Sequence, residues 1–261
     1  LLAAGIRPDE TILFVQSHVP QVTELFTLLS MVTPLGKLTD LPTFKEKVRQ
    51  NPNNVNYGLV GYPVLMAADI VLYKTDIVPV GIDQAPHIEF TREVVRSFNY
   101  RYDTNALIEP GMKNTEVPKV LGIDGKDKMS KSLDNQIELA ASPEQTRQRV
   151  MMMVTDPQRA RRDDAGNPDV CNVFSLHKIF TPKEDVDMIN LECRRAGIGC
   201  VDCKKRFAQN LNTDLEPFRA KRADLAKKPD LVQATLANGS ARARAIAEKT
   251  MQEVRAAVQL P

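Results

Sequence analysis

Lys128-Met129-Ser130-Lys131-Ser132 sets two lysines among small hydroxyl side chains, with glycines ahead of them at Gly122 and Gly125. Such a segment suits chemistry in which pyrophosphate departs. Lysine ammoniums neutralise charge growing on the β- and γ-phosphates, while serine hydroxyls and backbone N–H groups supply short donors. A solvated Lys/Ser turn has the same composition, so the residues alone leave both readings open. A second constellation lies further on. The four cysteines, Cys171, Cys193, Cys200 and Cys203, are separated by gaps of 21, 6 and 2 residues. One Cys-x-x-Cys pair with two more cysteines close by is a ligand pattern for a metal ion or an iron–sulfur cluster in a reducing compartment. Buried free thiols, or a disulfide under oxidising conditions, are the alternatives.

Asp69 sits in the apolar run Met66-Ala67-Ala68-Asp69-Ile70. An unpaired carboxylate in apolar surroundings costs several kcal/mol, so it needs a donor from a ligand, a helix cap or a salt bridge. Gly81-Ile82-Asp83-Gln84 follows the strand-like Ile77–Val80 and opens a helix. Open α/β sheets bind ligands at such places, and the helix N-terminus there favours negative charge. Gly81 permits close backbone approach and Asp83 can take ribose hydroxyls; a capping Gly/Asp turn would look the same. Lys47, in Phe44-Lys45-Glu46-Lys47, reads as a solvated helix lysine, and no metal spacing joins His18 to His87.

The elements that must position these groups follow from periodicity. Thr11–Val15 is rich in strand formers and predicts a buried parallel strand; Ile77–Val80 and Pro118–Ile123 predict two more. Pro20 opens a helix to about Met31, with Val22, Leu25, Phe26, Leu28 and Leu29 apolar. Further helices are expected over 43–50, 63–73 and 84–98, with a loop of four asparagines over 51–56. Alternating strands and helices imply a parallel α/β sheet. From Ser142-Pro143 onward the pattern is helical, with Ser142 as N-cap and Pro143 in the first turn. The polar 156–169 stretch, with Arg159, Arg161 and Arg162, predicts a loop, and Pro229, Asn238 and Gly239 predict late turns.

The 261 residues can bury one large or two small cores. Hydrophobic content of 43% and charged content of 26% are ordinary for a globular protein. No apolar run reaches the ~20 residues that span a bilayer. With a net charge of +2, contact with nucleic acid must rely on local basic patches.

Four ordered blocks carry a family resemblance. The pentapeptide at Lys128 resembles the KMSKS motif of class I aminoacyl-tRNA synthetases. Tyr62 to Ile70, Val78 to Gln84, His87 and Glu89-Phe90-Thr91-Arg92 resemble the tryptophan-binding half of tryptophanyl-tRNA synthetases, with Phe44-Lys45-Glu46-Lys47 upstream. The match covers most of the first 150 residues. It implies a Rossmann-like α/β catalytic domain over residues 1–142, followed by an all-helical anticodon-binding domain over 143–261.

The resemblance also implies roles. Lys128 and Lys131 are the catalytic lysines. Asp69 accepts the indole N–H of L-tryptophan, in a pocket lined by Tyr62, Met66, Ile70, Val78 and Val80. Gly81, Ile82, Asp83, Gln84, Lys47, Val120, Met129, Ser130 and Ser132 contact ATP together with the two lysines. Many members have Glu where Ile82 stands, so backbone contacts there carry over more safely than a side-chain role. The substrates would be tryptophan, Mg·ATP and tRNA(Trp), in a cytoplasmic homodimer with its interface near residues 20–35 and 60–75. The cysteine spacing resembles that of members binding a 4Fe–4S cluster, with structural zinc as the other reading. Arg194, Arg195, Lys204, Lys205 and Arg206 would then meet anticodon phosphates or form a solvated helix face. No His-x-Gly-His motif or Gly-Asn variant occurs. The expectation is therefore a chain holding half of the ATP site, and a truncated non-catalytic paralogue or a tyrosyl-type synthetase remains open.

Overall fold

The computed structural model describes residues 1–114 and 120–260. In chain order it contains α1 (Gln21–Ser30), α2 (Leu35–Asp40), α3 (Pro42–Gln50), α4 (Tyr57–Val71), β1 (Ile77–Val80), α5 (Ala85–Arg101), β2 (Gly111–Asn114), α6 (Pro143–Met152), α7 (Asn172–Phe180), α8 (Lys183–Arg194), α9 (Cys200–Ala226) and α10 (Pro229–Ala257). The chain forms two compact units, each discontinuous. One comprises Leu1–Ile6 with Pro118–Pro229, the other Arg7–Val117 with Asp230–Pro261. These units divide the chain elsewhere than at the expected boundary after residue 142. The physical reason is α10, whose apolar stripe of Ala243, Ala247, Met251 and Val254 is buried in the same core as α1, α4 and α5.

In the unit built around residues 7–117, Val22, Leu25 and Leu29 recur at helical spacing on α1 and share one core with Val64, Ala68 and Val71 of α4 and Val94, Val95 and Phe98 of α5, with α4 packed on both α1 and α5. β1 and β2 pair in parallel, Ile77 opposite Gly111 through Val80 opposite Asn114. A parallel pair needs a crossover, and α5 supplies it, giving the strand–helix–strand unit of a Rossmann-like fold. The expected strand at Ile77–Val80 is present.

Three sequence expectations differ from this unit. The helix expected from Pro63 begins at Tyr57, because Asn56 caps it by accepting from the Leu59 N–H at 3.0 Å, leaving Pro63 inside the helix. Thr11–Val15 is not a strand. Ile12 and Phe14 pack on the core, but the Leu13 backbone lies against α10 rather than against a neighbouring strand. Asn238 and Gly239 mark no turn, since α10 runs through them unbroken. Gly239 is needed for close approach: a Cβ there would overlap the Leu13 carbonyl.

The other unit is helical apart from the lysine loop and the irregular stretches over 134–142 and 153–171. Val150 and Met153 near the end of α6, Val173 and Leu176 on α7, and Phe207, Ala208, Leu211 and Leu215 on α9 form its core. The Ser142 cap is as expected. Its hydroxyl accepts from the Gln145 N–H while the Gln145 side chain accepts from the Ser142 N–H, a complete capping box. Of the strand expected over 118–123, Pro118 and Lys119 lie outside the described residues. Leu121 makes an isolated antiparallel bridge to Lys128, which closes a turn rather than extending a sheet. Among the described residues no helix is long and apolar enough to cross a membrane.

Candidate functional site

Asp69, Tyr62, Met66 and Ile70 all stand on α4, each partly buried. Among the described residues, the Asp69 carboxylate is held by one side chain, the Gln16 amide, which donates at 2.8 and 2.6 Å to its two oxygens. Burial pushes the Asp69 pKa up and the Gln16 hydrogen bond partly offsets it. Asp69 in turn reaches Tyr73, whose hydroxyl is pushed up to about 12 by burial first and by that carboxylate second. Val78 and Val80 are the partly buried residues of β1, while Ile77 and Pro79 alternate to the exposed side. The sequence reading missed Gln16. No local signal marks it, because its partner is 53 residues away.

At the end of β1 the chain makes a short 3-10 turn over Ile82–Gln84 before α5. Gly81 keeps the backbone there open: a Cβ would come within 2.6 Å of the Asp83 carboxylate and displace that side chain. Gln84 donates to Asp83 at 2.9 Å, and the Ile82 side chain is 70% exposed. Lys47 on α3 is exposed and carries its ammonium 4.0 Å from the centre of the Tyr62 ring. The Tyr62 hydroxyl donates to Thr43 Oγ1 at 2.9 Å, and Thr43 Oγ1 lies 3.0 Å from His87 Nε2. Burial, and next the Lys47 charge, hold the buried His87 below the usual imidazole range. The structure thus brings Lys47, Tyr62, Thr43 and His87 together from α3, α4 and α5.

The lysine loop belongs to the other compact unit. Met129 N–H donates to the Val120 carbonyl at 3.0 Å and Gly122 N–H to Asp127 O at 2.9 Å. Gly125 turns the chain at φ +67°. Ser130 caps a 3-10 turn over Lys131–Leu133, and its hydroxyl lies 2.7 Å from that of Ser132. Lys128 and Lys131 are exposed, and among the described residues neither ammonium pairs with a carboxylate. Two unneutralised ammoniums on a hydrogen-bonded turn can meet a polyphosphate.

The four cysteines come from the N-cap of α7, the end of α8 and the first turn of α9. All are partly buried free thiols. Burial pushes Cys203 up to about 12, and the other three sulfurs push it further in the same direction. Cys171 and Cys193 are likewise raised by burial first and by neighbouring thiols after it. Arg159 Nη1 lies 4.0 Å from Cys193 Sγ and 3.8 Å from Cys200 Sγ. His177 Nε2 lies 3.5 Å from Cys203 Sγ. The sulfurs share one electrostatic neighbourhood. Among the described residues, however, no group of three or more His, Cys, Asp or Glu side chains is drawn together to hold a single metal ion.

Over residues 1–216 the chain matches the family described as tRNA synthetases class I (W and Y). The tryptophan–tRNA ligase of Deinococcus radiodurans is 44% identical over 253 residues, covering 97% of this chain and 76% of that protein. The tryptophan–tRNA ligase of Thermotoga maritima is 43% identical over 262 residues, covering 99% and 79%. A solved tryptophanyl-tRNA synthetase from Campylobacter jejuni, complexed with ADP and tryptophan, has a TM-score of 0.88 at 33% identity, covering 99% of this chain and 80% of that one. The fold and the lysine loop are those of a class I tRNA synthetase, and the chain belongs to that class. Within it, the chain is a member of the tryptophan–tRNA ligase family.

Proposed function

We propose that this protein joins L-tryptophan to tRNA(Trp) in two steps, with the residue roles that its sequence motifs suggest. In the first, a carboxylate oxygen of tryptophan attacks the α-phosphorus of Mg·ATP; the new O–P bond forms as the bond to pyrophosphate breaks. In the second, a tRNA ribose hydroxyl attacks the carbonyl carbon and AMP leaves. No protein base is needed for the first attack, because the nucleophile is already an anion. Catalysis is positioning and charge stabilisation. Lys128 and Lys131 take the charge that develops on the departing pyrophosphate, with the Ser130 and Ser132 hydroxyls as donors and Met129 and Val120 beside them. Gly81, Ile82, Asp83, Gln84 and Lys47 also serve ATP.

Asp69 accepts the indole N–H, with Tyr62, Met66, Ile70, Val78 and Val80 around the ring. The observation that carries this assignment is the Asp69 carboxylate itself. It is partly buried on an apolar helix, its pKa is pushed up, and its one side-chain partner among the described residues is the terminal amide of Gln16. An N–H arriving from a ligand relieves that cost, and an analogue lacking the N–H does not.

The cysteines support a 4Fe–4S cluster on Cys171, Cys193, Cys200 and Cys203. Four thiols within mutual electrostatic reach, with the Arg159 cation beside two of them, suit a dianionic cluster. A structural zinc on the same four thiolates is the other reading. A bound cluster would supply cross-links between α7, α8 and α9. The protein is read as a cytoplasmic homodimer. The exposed Met31, Leu35 and Tyr100 side chains support an interface beyond the end of α1. The 60–75 stretch offers less, since Val64, Ala67, Ala68, Val71 and Leu72 are buried in the core.

The test is ATP–pyrophosphate exchange by the protein at its full encoded length, with tryptophan, tyrosine or phenylalanine supplied singly. Exchange with tryptophan alone is expected. Exchange with tyrosine instead would replace this reading by a tyrosyl one. No exchange with any amino acid would leave a non-catalytic relative.

A further inference from the structure

Asn135 is 3% exposed, whereas Lys131, Ser132, Leu133 and Asp134 just before it are all exposed. Every polar group of its side chain is used. Oδ1 accepts the Ser130 N–H at 2.7 Å, between the two lysines. Nδ2 donates to Asp124 Oδ2 at 2.6 Å and lies 3.4 Å from the Lys128 carbonyl. The Asn135 main-chain carbonyl accepts the Ile123 N–H at 2.8 Å. One amide therefore ties the stretch before the loop to the Lys128 carbonyl and to the N–H of Ser130, the residue before Lys131. The other Asp124 oxygen takes the Lys126 and Asp127 N–H groups at 2.8 and 3.1 Å, so the near arm of the turn hangs on the same pair. Gly122 has no side chain because a Cβ there would overlap Asn135. Its carbonyl is anchored by Asn172 Nδ2 at 2.7 Å.

The lysine ammoniums themselves are exposed and unpaired among the described residues, so nothing at their tips fixes their separation. That separation is set where their backbones are held. We propose that Asn135 is a positioning residue for adenylate formation, fixing Lys128 and Lys131 relative to each other so that both meet the departing pyrophosphate. This rests on the lysine-loop reading given above. The geometry matters chiefly in the transition state, because a flexible lysine can still find a bound phosphate. It cannot stabilise developing charge from a loosened loop until that loop has been ordered at an entropic cost.

Three variants at full encoded length test this, with tryptophan-dependent pyrophosphate exchange, ATP binding and thermal midpoint measured on each. Asn135→Ala removes every side-chain bond. Asn135→Asp keeps an acceptor for Ser130 N–H but sets a carboxylate against Asp124. Asp124→Asn combined with Asn135→Asp restores the pair with the donor reversed. The amide then at position 124 can donate to the carboxylate at position 135, and its oxygen can still accept from the Lys126 and Asp127 N–H groups. Both single variants at Asn135 are expected to lower kcat about 10- to 100-fold, the scale of a misplaced catalytic group. The KM for ATP should move by no more than about threefold, the mark of an interaction made in the transition state. The double variant should recover most of the lost kcat. Recovery by reversing one hydrogen bond is an outcome that general loss of folding does not give. Wild-type kcat in Asn135→Ala, or a double variant as impaired as Asn135→Asp, would overturn the assignment. Lys128→Ala and Lys131→Ala run beside them separate the two levels. Intact kcat in both would sink the lysine-loop reading itself, whereas impaired lysine variants with silent Asn135 variants would sink the positioning role alone.

Discussion

Gln16 Nε2 stands 2.8 Å from Oδ1 and 2.6 Å from Oδ2 of Asp69, one amide spanning a whole carboxylate across 53 positions of chain. The amide is a neutral donor at the end of a side chain that can swing. It satisfies Asp69 without neutralising it, which leaves the carboxylate as an acceptor for a better-placed N–H.

Asp69→Asn should therefore lower kcat/KM for tryptophan by about 100-fold or more, as expected when a buried partner of a substrate N–H is altered. ATP affinity should change little. Gln16→Ala should affect tryptophan less than Asp69→Asn does. Steady-state kinetics with each substrate varied in turn would decide; equal losses for tryptophan and ATP would remove Asp69 from the amino-acid site.

The same carboxylate predicts a pH effect on stability. Its folded-state pKa is raised by burial, so between 3.8 and that raised value the folded protein binds more protons than the unfolded chain. Stability contributed by neutral Asp69 is present below 3.8 and is lost as pH rises through the folded pKa. Denaturant unfolding of wild type and Asp69→Asn from acid to neutral pH should show the variant gaining on wild type as pH rises. A difference that stays constant, or grows toward acid, would contradict the raised pKa.

Lys128→Ala and Lys131→Ala should each slow adenylate formation by about 100-fold, the scale of losing one transition-state donor. Ground-state ATP binding should weaken far less. Single-turnover formation of the adenylate, followed with labelled ATP, is the measurement. A loop that is merely a surface turn would leave the rate unchanged.

Protein purified without oxygen should be brown and hold about four iron and four sulfide per chain. Cys200→Ser should lose this colour and weaken tRNA binding, while tryptophan and ATP binding persist. A colourless protein with one zinc would replace the cluster by a structural ion, and four free thiols without metal would remove the cofactor altogether.

Gly239→Ala should destabilise the protein by about 1–3 kcal/mol, the usual cost of overpacking. The added methyl meets the Leu13 carbonyl, a backbone atom that cannot swing aside. A neighbouring exposed site, Ala237→Gly, provides the contrast, since it costs only helix propensity. Equilibrium unfolding of both variants would settle the ranking.

Local chemistry is legible in the sequence and long-range chemistry is not. The Ser142 cap can be read because its partner Gln145 is three residues away. β1 can be read from Ile77–Val80, but β2 is Gly-Met-Lys-Asn, with no branched residue and no alternation to reveal it. Thr11–Val15 has the composition of a strand, yet a strand needs a neighbour, and Leu13 meets a helix instead. Gly239 misleads because one residue type serves both turns and close packing. Among the candidate residues, the lysines, Asp69 and the cysteines stand out by type and spacing. Gln16 and Asn135 do not, since an amide carries no signal until the fold shows what it holds.

The return of α10 to the unit begun at Arg7 has a consequence for biosynthesis. The ribosome delivers residues 7–117 well before α10, and the core they share with Ala243, Ala247, Met251 and Val254 stays open until that helix is made. The helices from α6 to α9 are complete before then and can condense while translation continues. The unit whose synthesis starts at Arg7 thus finishes folding after the one synthesised in its midst. Throughout that interval the core that Leu25, Leu29, Val64 and Phe98 share with α10 is incomplete, so apolar surface of this unit is open to chaperones on the nascent chain.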